Sequence, residues 1–206
     1  MKGFSEEKRT QLEEALIREA SEQFTRDGLE GTRIADLTDA VGIGTSTFYT
    51  FFESKEALYL RVLRREAERI SAEIEREIDD ATSLEREVAE ILRYVFEELE
   101  SNRLYYQSIV DDERRVAGEE LSDEAIRRNY DEILSLSTGL AERWTEHERF
   151  SVDDPELMVN LVRTIAPFVT QRERLQREAG EEAYEAVKSL LIETLVDGLI
   201  DQPRTE

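Results

Sequence analysis

Apolar residues recur along most of the chain at intervals of three and four positions, the spacing that lines one face of an α-helix. No stretch shows the strict alternation of apolar and polar residues that is typical of a half-buried strand. Proline and glycine, which end or kink helices, occur only three and nine times in 206 residues. The pattern therefore predicts an all-α protein.

Breaks in this periodicity divide the chain into nine predicted helices. Thr32 can cap the second helix, Ser54 the fourth, and Asp154 the eighth, whose first turn suits Pro155. Pro167 predicts a kink within the eighth helix. The predicted ranges are Glu6–Asp27, Thr32–Gly42, Thr45–Phe52, Lys55–Asp80, Leu84–Glu100, Asn102–Asp112, Leu121–Glu148, Pro155–Arg177 and Glu181–Ile200.

The net charge of −22 is unevenly distributed along the chain. Residues 1–65 hold 10 basic and 12 acidic groups, a net charge of −2, whereas residues 66–206 hold 17 and 37, a net charge of −20. Because residues 1–65 lack the excess of acidic groups found in the rest of the chain, they are expected to form a surface that approaches a polyanion.

The basic residues are 23 arginines and only four lysines. This composition resembles that of proteins from extreme halophiles, in which hydrated carboxylates keep a protein dispersed in molar salt. A solvated acidic surface that simply maintains solubility is the plainer interpretation. The halophilic interpretation predicts that stability rises with KCl concentration.

The chain lacks the residues on which several classes of function usually depend. The chain has no cysteine, which excludes disulfides and cysteine-based zinc sites, and its single histidine, His147, is expected to lie at the surface. We therefore expect no metal site, no cofactor and no enzymatic activity. No apolar run approaches the roughly 18 residues that span a membrane, and no secretory signal is visible, so we expect a cytoplasmic protein.

Two short helices joined by a glycine turn, the second ending in aromatic residues, are typical of a helix-turn-helix. Gly42 permits the sharp turn between them. The second helix presents short hydroxyl side chains that can reach phosphates or base edges, and the Tyr49 ring carries a further donor. These hydroxyl residues are Thr45, Ser46, Thr47 and Thr50.

The stretch from Gly28 to Leu58 resembles the DNA-binding domain of the TetR/AcrR family of transcriptional regulators, and the resemblance is strong over residues 8–65. Its landmarks are Thr32, Gly42, Thr47, Tyr49, Phe52, Lys55, Glu56 and Leu58. The resemblance implies that Tyr49, Lys55 and Thr32, with the helix N-terminus at Thr32 and Arg33, bind phosphates. It also implies that Thr45, Ser46 and Thr50 face bases.

Three positions depart from the family pattern. Ser46 stands where glycine is frequent, Gly44 where serine commonly caps the helix, and Phe51 where histidine is frequent. These departures leave the base preference open. The alternative is an all-α protein that keeps this fold but acts through protein partners without binding DNA.

The resemblance further implies a helix-turn-helix domain, residues 1–55, joined by a long helix to a ligand-binding and dimerisation domain, residues 56–206. Apolar residues of the later helices are the candidates for a pocket that binds a small hydrophobic or aromatic effector. They are Phe96, Tyr105, Tyr106, Ile109, Tyr130, Leu134, Trp144, Met158, Val162 and Ile165. The candidates for a homodimer interface are Leu161, Phe168, Tyr184, Val187, Leu191 and Leu195.

We therefore expect a homodimeric, ligand-responsive regulator of transcription, a repressor in most of the family. Two recognition helices about 34–36 Å apart, one turn of DNA, would read a palindromic double-stranded operator.

Overall fold

The computed structural model describes residues 5–78, 83–110 and 123–200. These residues are almost entirely helical, with one isolated antiparallel bridge between Phe150 and Ile200. The fold is all-α, as the periodicity predicts. None of the helices in the described ranges is long and apolar enough to cross a membrane.

The helices follow the predicted order with shifted ends. They are α1 (Glu6–Gly31), α2 (Ile34–Val41), α3 (Thr45–Phe48), α4 (Lys55–Ile78), α5 (Leu84–Ser101), α6 (Arg103–Val110), α7 (Asp123–Thr145), α8 (Pro155–Ile165), a 3-10 segment (Ala166–Gln171), α9 (Arg172–Ala179) and α10 (Ala183–Leu199).

The predicted caps of two helices are confirmed. The Ser54 hydroxyl accepts a hydrogen bond from the Ala57 N–H at 3.1 Å at the start of α4. The Asp154 carboxylate accepts from the N–H groups of Glu156 and Leu157 at the start of α8. Each bond satisfies a backbone donor that a helix start leaves without an intrahelical partner.

The predicted cap at Thr32 is wrong. Arg33 occupies the position before α2 and makes no side-chain capping bond. The Thr32 hydroxyl instead donates back to the Gly28 carbonyl oxygen at 2.8 Å. Thr32 thus closes the end of α1, where Gly28 takes φ 72° and ψ 176°, a conformation that glycine adopts without a Cβ clash.

Two predicted helices are interrupted. Helix α3 holds only four residues, and the chain then continues in tight turns to Phe52. Beyond Ile165 the predicted kink at Pro167 is a full change to 3-10 geometry before α9 begins. Proline lacks the N–H that an α-helix needs at this point, which explains the break.

The described residues form two compact units. The first unit comprises the described residues up to Glu66 together with Asp123–Glu132, and the second comprises the remainder. In the first unit, α1, α2, α3 and the first turns of α4 enclose a core in which the rings of Phe24 and Tyr59 meet edge to face at 5.1 Å. Its fully buried members include Leu16, Ile17, Phe24, Leu37, Phe48, Leu58 and Leu63.

The core of the second unit is built around α5, whose apolar side is buried along its whole length. Trp144 stacks on Phe150 at a ring distance of 6.1 Å, and the Trp144 indole donates to the buried Glu87 carboxylate at 2.9 Å. Helices α8 and α10 contribute Met158, Val159, Ile192, Val196 and Leu199 to the same cluster.

Candidate functional site

The turn between α2 and α3 is set by the backbone. Gly42 adopts φ 76° and ψ 35°, and its N–H donates to the carbonyl oxygens of Thr38 and Asp39 at the end of α2. The next N–H, of Ile43, donates to Thr38 at 2.9 Å. This left-handed turn ends α2 abruptly and starts α3 only three residues later, which gives the helix-turn-helix geometry.

The recognition segment, residues 45–50, displays most of the predicted polar groups. Thr45, Ser46 and Thr50 are exposed, and Thr47 is half-buried. The Thr50 hydroxyl donates to the Thr47 carbonyl at 2.7 Å, which leaves its oxygen lone pairs for a donor from DNA. The segment therefore has the short polar side chains that base edges and phosphates can accommodate.

Aromatic residues hold the recognition segment in place. Phe48 is completely buried, and its ring packs against Tyr49 at 5.4 Å and Phe52 at 5.9 Å. Tyr49 itself is 54% exposed, so its ring is supported on one side while its hydroxyl remains available. The structure thus separates the core aromatics from the one that sequence reasoning assigns to a phosphate.

Four of the predicted DNA-binding residues line one shallow depression of about 500 Å³ in the first unit. They are Thr32, Arg33, Tyr49 and Lys55. The same depression includes the carboxylates of Glu30, Glu53 and Glu56, which sequence reasoning did not place there. The local charge is therefore less positive than a phosphate-binding surface would suggest.

Two of these residues are already engaged within the protein. Thr32 is 2% exposed and its hydroxyl donates to Gly28, so the expectation that this side chain meets a phosphate is not met. The Lys55 ammonium donates to the carbonyl oxygens of Leu29 at 2.7 Å and Thr32 at 3.1 Å. Lys55 therefore ties the end of α1 to the start of α4, which positions the segment between them.

The second unit contains a cavity of about 320 Å³ among α4, α5, α6, α7 and α8. Four of the ten predicted pocket residues line it, namely Tyr105, Trp144, Met158 and Val162. Its walls are mostly apolar, and polar groups of Ser71, Glu75, Arg143 and Arg163 also reach its lining. Such a cavity suits a small ligand with a largely apolar body.

Of the other six residues predicted for the pocket, four are not found in the lining of the cavity. Phe96, Tyr106, Leu134 and Ile165 belong to the core or pack against it and do not line the cavity. The side chains of Ile109 and Tyr130 lie outside the described part of the chain. Sequence reasoning missed the walls that α4 and α5 supply, because their apolar stripes are those of ordinary core helices; these residues are Ile70, Ile74, Ile91, Leu92 and Val95.

The six residues predicted for the dimer interface differ in their burial. Tyr184 is completely buried within the second unit, where its ring stacks on Phe168 at 5.1 Å, so its assignment to an interface is wrong. Phe168 also meets Phe96 edge to face, and is half-buried. Leu161, Leu191 and Leu195 are half-buried, and Val187 is 40% exposed.

Two apolar side chains that were not predicted for the interface are larger and more exposed than Val187, namely Leu190 of α10 at 63% and Leu157 of α8 at 57%.

His147 is exposed, as expected, and accepts a hydrogen bond from the Arg149 N–H. Within the described residues, no cluster of three or more histidine or carboxylate side chains could hold a metal ion.

Comparison with known proteins agrees with this geometry. Residues 16–62 match the family of bacterial regulatory proteins, tetR family. The HTH-type transcriptional regulator RutR of Escherichia coli K12 is 25% identical over 149 residues, which cover 72% of this chain and 68% of RutR.

Solved structures share the fold over most of the chain. The fatty acid degradation regulator FadR of Bacillus halodurans superposes with a TM-score of 0.61 at 18% identity, covering 90% of this chain and 98% of that one. FadR of Bacillus subtilis, solved in complex with stearoyl-CoA, gives 0.59 at 18% identity with the same coverage. Through residues 16–62 the chain thus resembles the tetR family of bacterial regulatory proteins, and this similarity supports a DNA-binding transcriptional regulator.

Proposed function

We propose that this chain is a homodimeric repressor, acting in the cytoplasm, that a small apolar effector releases from a palindromic operator. The observation that carries the proposal is the apolar cavity in the second unit of a chain whose first unit holds a DNA-binding helix-turn-helix. The division into a DNA-reading domain, residues 1–55, and an effector and dimer domain, residues 56–206, is part of this proposal.

The cavity limits the effector. About 320 Å³ lies at the small end of the range for ligand pockets. The related B. subtilis FadR was solved with stearoyl-CoA, and the cavity here favours a much smaller apolar molecule. The Trp144 indole forms part of the wall and is fixed by its hydrogen bond to Glu87, which favours a flat ligand packed on that ring.

Exposed apolar side chains on α8 and α10 support the dimer. Helix α10 is apolar on two sides: one side is buried in the unit, while Val187 and Leu190 face solvent. Leu157 adds a third large exposed side chain on α8. Large apolar side chains left exposed on these helices favour an association site, and a second copy of the chain offers the matching side chains.

Release requires that the effector favour one of two states of the protein. Helix α4 is continuous from Lys55 to Ile78. Its later residues Ile70 and Ile74 line the cavity, and its first residue follows shortly after the recognition segment. An effector that binds more tightly when α4 is displaced would therefore change the spacing of the two recognition segments, by an amount limited by its differential affinity.

Selection of duplexes from a random-sequence DNA library by the full-length protein tests DNA binding. We expect a palindromic sequence to be enriched, and we expect Tyr49→Ala to bind it at least about tenfold more weakly, as for loss of one good contact per subunit. Tyr49→Phe, which keeps the ring on Phe48, separates the hydroxyl from the packing. Failure of the folded wild type to enrich any duplex would refute the proposal and favour a role through protein partners.

Sedimentation equilibrium tests the dimer. We expect Leu190→Glu to convert a dimer to a monomer, because two carboxylates would be buried in one apolar contact. Glu193→Gln, an exposed change on the same helix, is the control and should leave the dimer intact. A wild-type monomer at micromolar concentration would contradict the assignment.

A further inference from the structure

The predicted DNA-binding surface is short of available positive charge. Two of the three N–H donors of the Lys55 ammonium bond to backbone carbonyl oxygens, and Arg33 is the only other cation among the eight predicted residues. The depression that holds Arg33 also contains three glutamates. Because phosphate contacts dominate DNA affinity, another cation near the recognition segment is needed.

Arg9 stands at that position. Its guanidinium lies over the ring of Phe51 at 5.8 Å from the centroid, and Phe51 directly follows the recognition segment. Arg9 precedes the buried residues Leu12 and Leu16 by three and seven positions, so it extends the core-facing side of α1 by one turn beyond the core. The helix therefore presents Arg9 at the end of α1 that meets the helix-turn-helix.

The environment of Arg9 leaves the N–H donors of its guanidinium available. Arg9 is exposed, and no carboxylate among the described residues forms an ion pair with it, although Glu6 and Glu13 lie three and four positions away on α1. A guanidinium that stacks on an aromatic face still directs its N–H groups outward in the plane. This geometry suits a phosphate oxygen and fixes the arginine before DNA arrives.

We propose that Arg9, held on Phe51, binds a backbone phosphate beside the bases contacted by the recognition segment. The inference rests on the proposed DNA-binding function and adds a cation that lies outside the residues matched by the family model. The partner is double-stranded DNA, recognised through its phosphate charge rather than its sequence.

The test measures the affinity of the full-length protein for its selected duplex as a function of KCl. Each lost phosphate contact lowers the slope of log K against log[KCl] by about 0.9, so Arg9→Gln should lower it by about 1.8 per dimer. The wild-type advantage over Arg9→Gln should then fall about twelvefold for each fourfold rise in KCl.

Two variants separate the contact from general effects. Arg9→Lys keeps the charge and should keep the wild-type slope. Arg18→Gln removes an exposed arginine nine positions along α1, on the opposite side of the helix, and should also leave the slope unchanged. Circular dichroism at each KCl concentration verifies that all variants are folded.

The outcomes distinguish this inference from the function on which it rests. A wild-type protein that selects no duplex would overturn both. A wild type that binds DNA, with Arg9→Gln showing the wild-type slope, would overturn the Arg9 contact alone. Equal slope losses in Arg9→Gln and Arg18→Gln would show a general charge effect and would likewise overturn it.

Discussion

Glu100, at the end of α5, holds α10 through a compact charged network, and its removal should be strongly destabilising. One carboxylate oxygen accepts from the Tyr184 hydroxyl and from the Lys188 ammonium, both at 2.8 Å. The other oxygen lies 3.5 Å from the Arg172 guanidinium. The cations of Lys188 and Arg172 also lie 5.4 and 5.6 Å from the centroid of the Tyr184 ring.

The magnitude follows from burial. The side chains of Glu100 and Lys188 are only 10% and 12% exposed, so neither is well solvated. Removing one member of a buried pair costs about 3–5 kcal/mol, because the other charge is left without compensation. Glu185, at 2.9 Å from Lys188, provides some compensation, so we expect Glu100→Ala to cost about 3 kcal/mol, the lower end of that range.

Urea unfolding at constant KCl measures this cost, since urea leaves the ionic strength unchanged. Glu97→Ala is the matched control, an exposed glutamate one turn earlier on α5, and should change stability by less than about 0.5 kcal/mol. The combined change Glu100→Gln and Lys188→Met should cost less than Glu100→Ala, because it leaves no lone buried charge. A Glu100→Ala protein as stable as Glu97→Ala would refute the reasoning.

Three further predictions concern the turn, pH and salt. Gly42→Ala should lower the free energy of unfolding by about 1–2 kcal/mol in urea, since a Cβ there meets no atom and only the positive φ is costly. The control Gly198→Ala, at ordinary φ, should cost nothing, and equal losses of stability in the two variants would contradict the prediction. Burial lowers the pKa of Lys188, but hydrogen bonds to Glu100 and Glu185 outweigh it and raise the pKa above 10.5. This stabilisation is complete below pH 10.5 and is lost as pH rises further; an alkaline unfolding profile unchanged by Glu100→Gln would argue against it. The melting temperature should rise from dilute buffer to molar KCl as the acidic surface is screened, and a melt constant within about 2 °C would rule out the halophilic interpretation.

The fold was largely predictable because helices depend on local patterns. Periodicity placed the helices in the right order, and Ser54 and Asp154 marked true starts because a capping side chain acts within three residues of itself. Gly42 could be assigned to the turn because its effect on the backbone is also local. Thr32 has the residue type of a cap, yet its hydroxyl bonds backwards to Gly28, an alternative that sequence spacing cannot distinguish.

The candidate sites were predictable only in part. Thr45, Ser46 and Thr50 of the recognition segment are exposed. Tyr184 and Val187 of α10, by contrast, have opposite environments although both fit the apolar stripe. The cavity wall from α4 and α5 could not be separated from core, because lining a cavity and filling a core require the same apolar residues.

The sequence by itself determined the all-α class, the helix-turn-helix and the uneven charge, since each depends on residue identity and short-range spacing. Only the tertiary structure decided that the Lys55 ammonium bonds to the Leu29 carbonyl oxygen of α1 and that Arg9 lies over the Phe51 ring. These contacts join residues 26 and 42 positions apart, so they exist only once packing has brought the helices together. The partners that packing supplies thus determine which donors of these two cations are used within the protein.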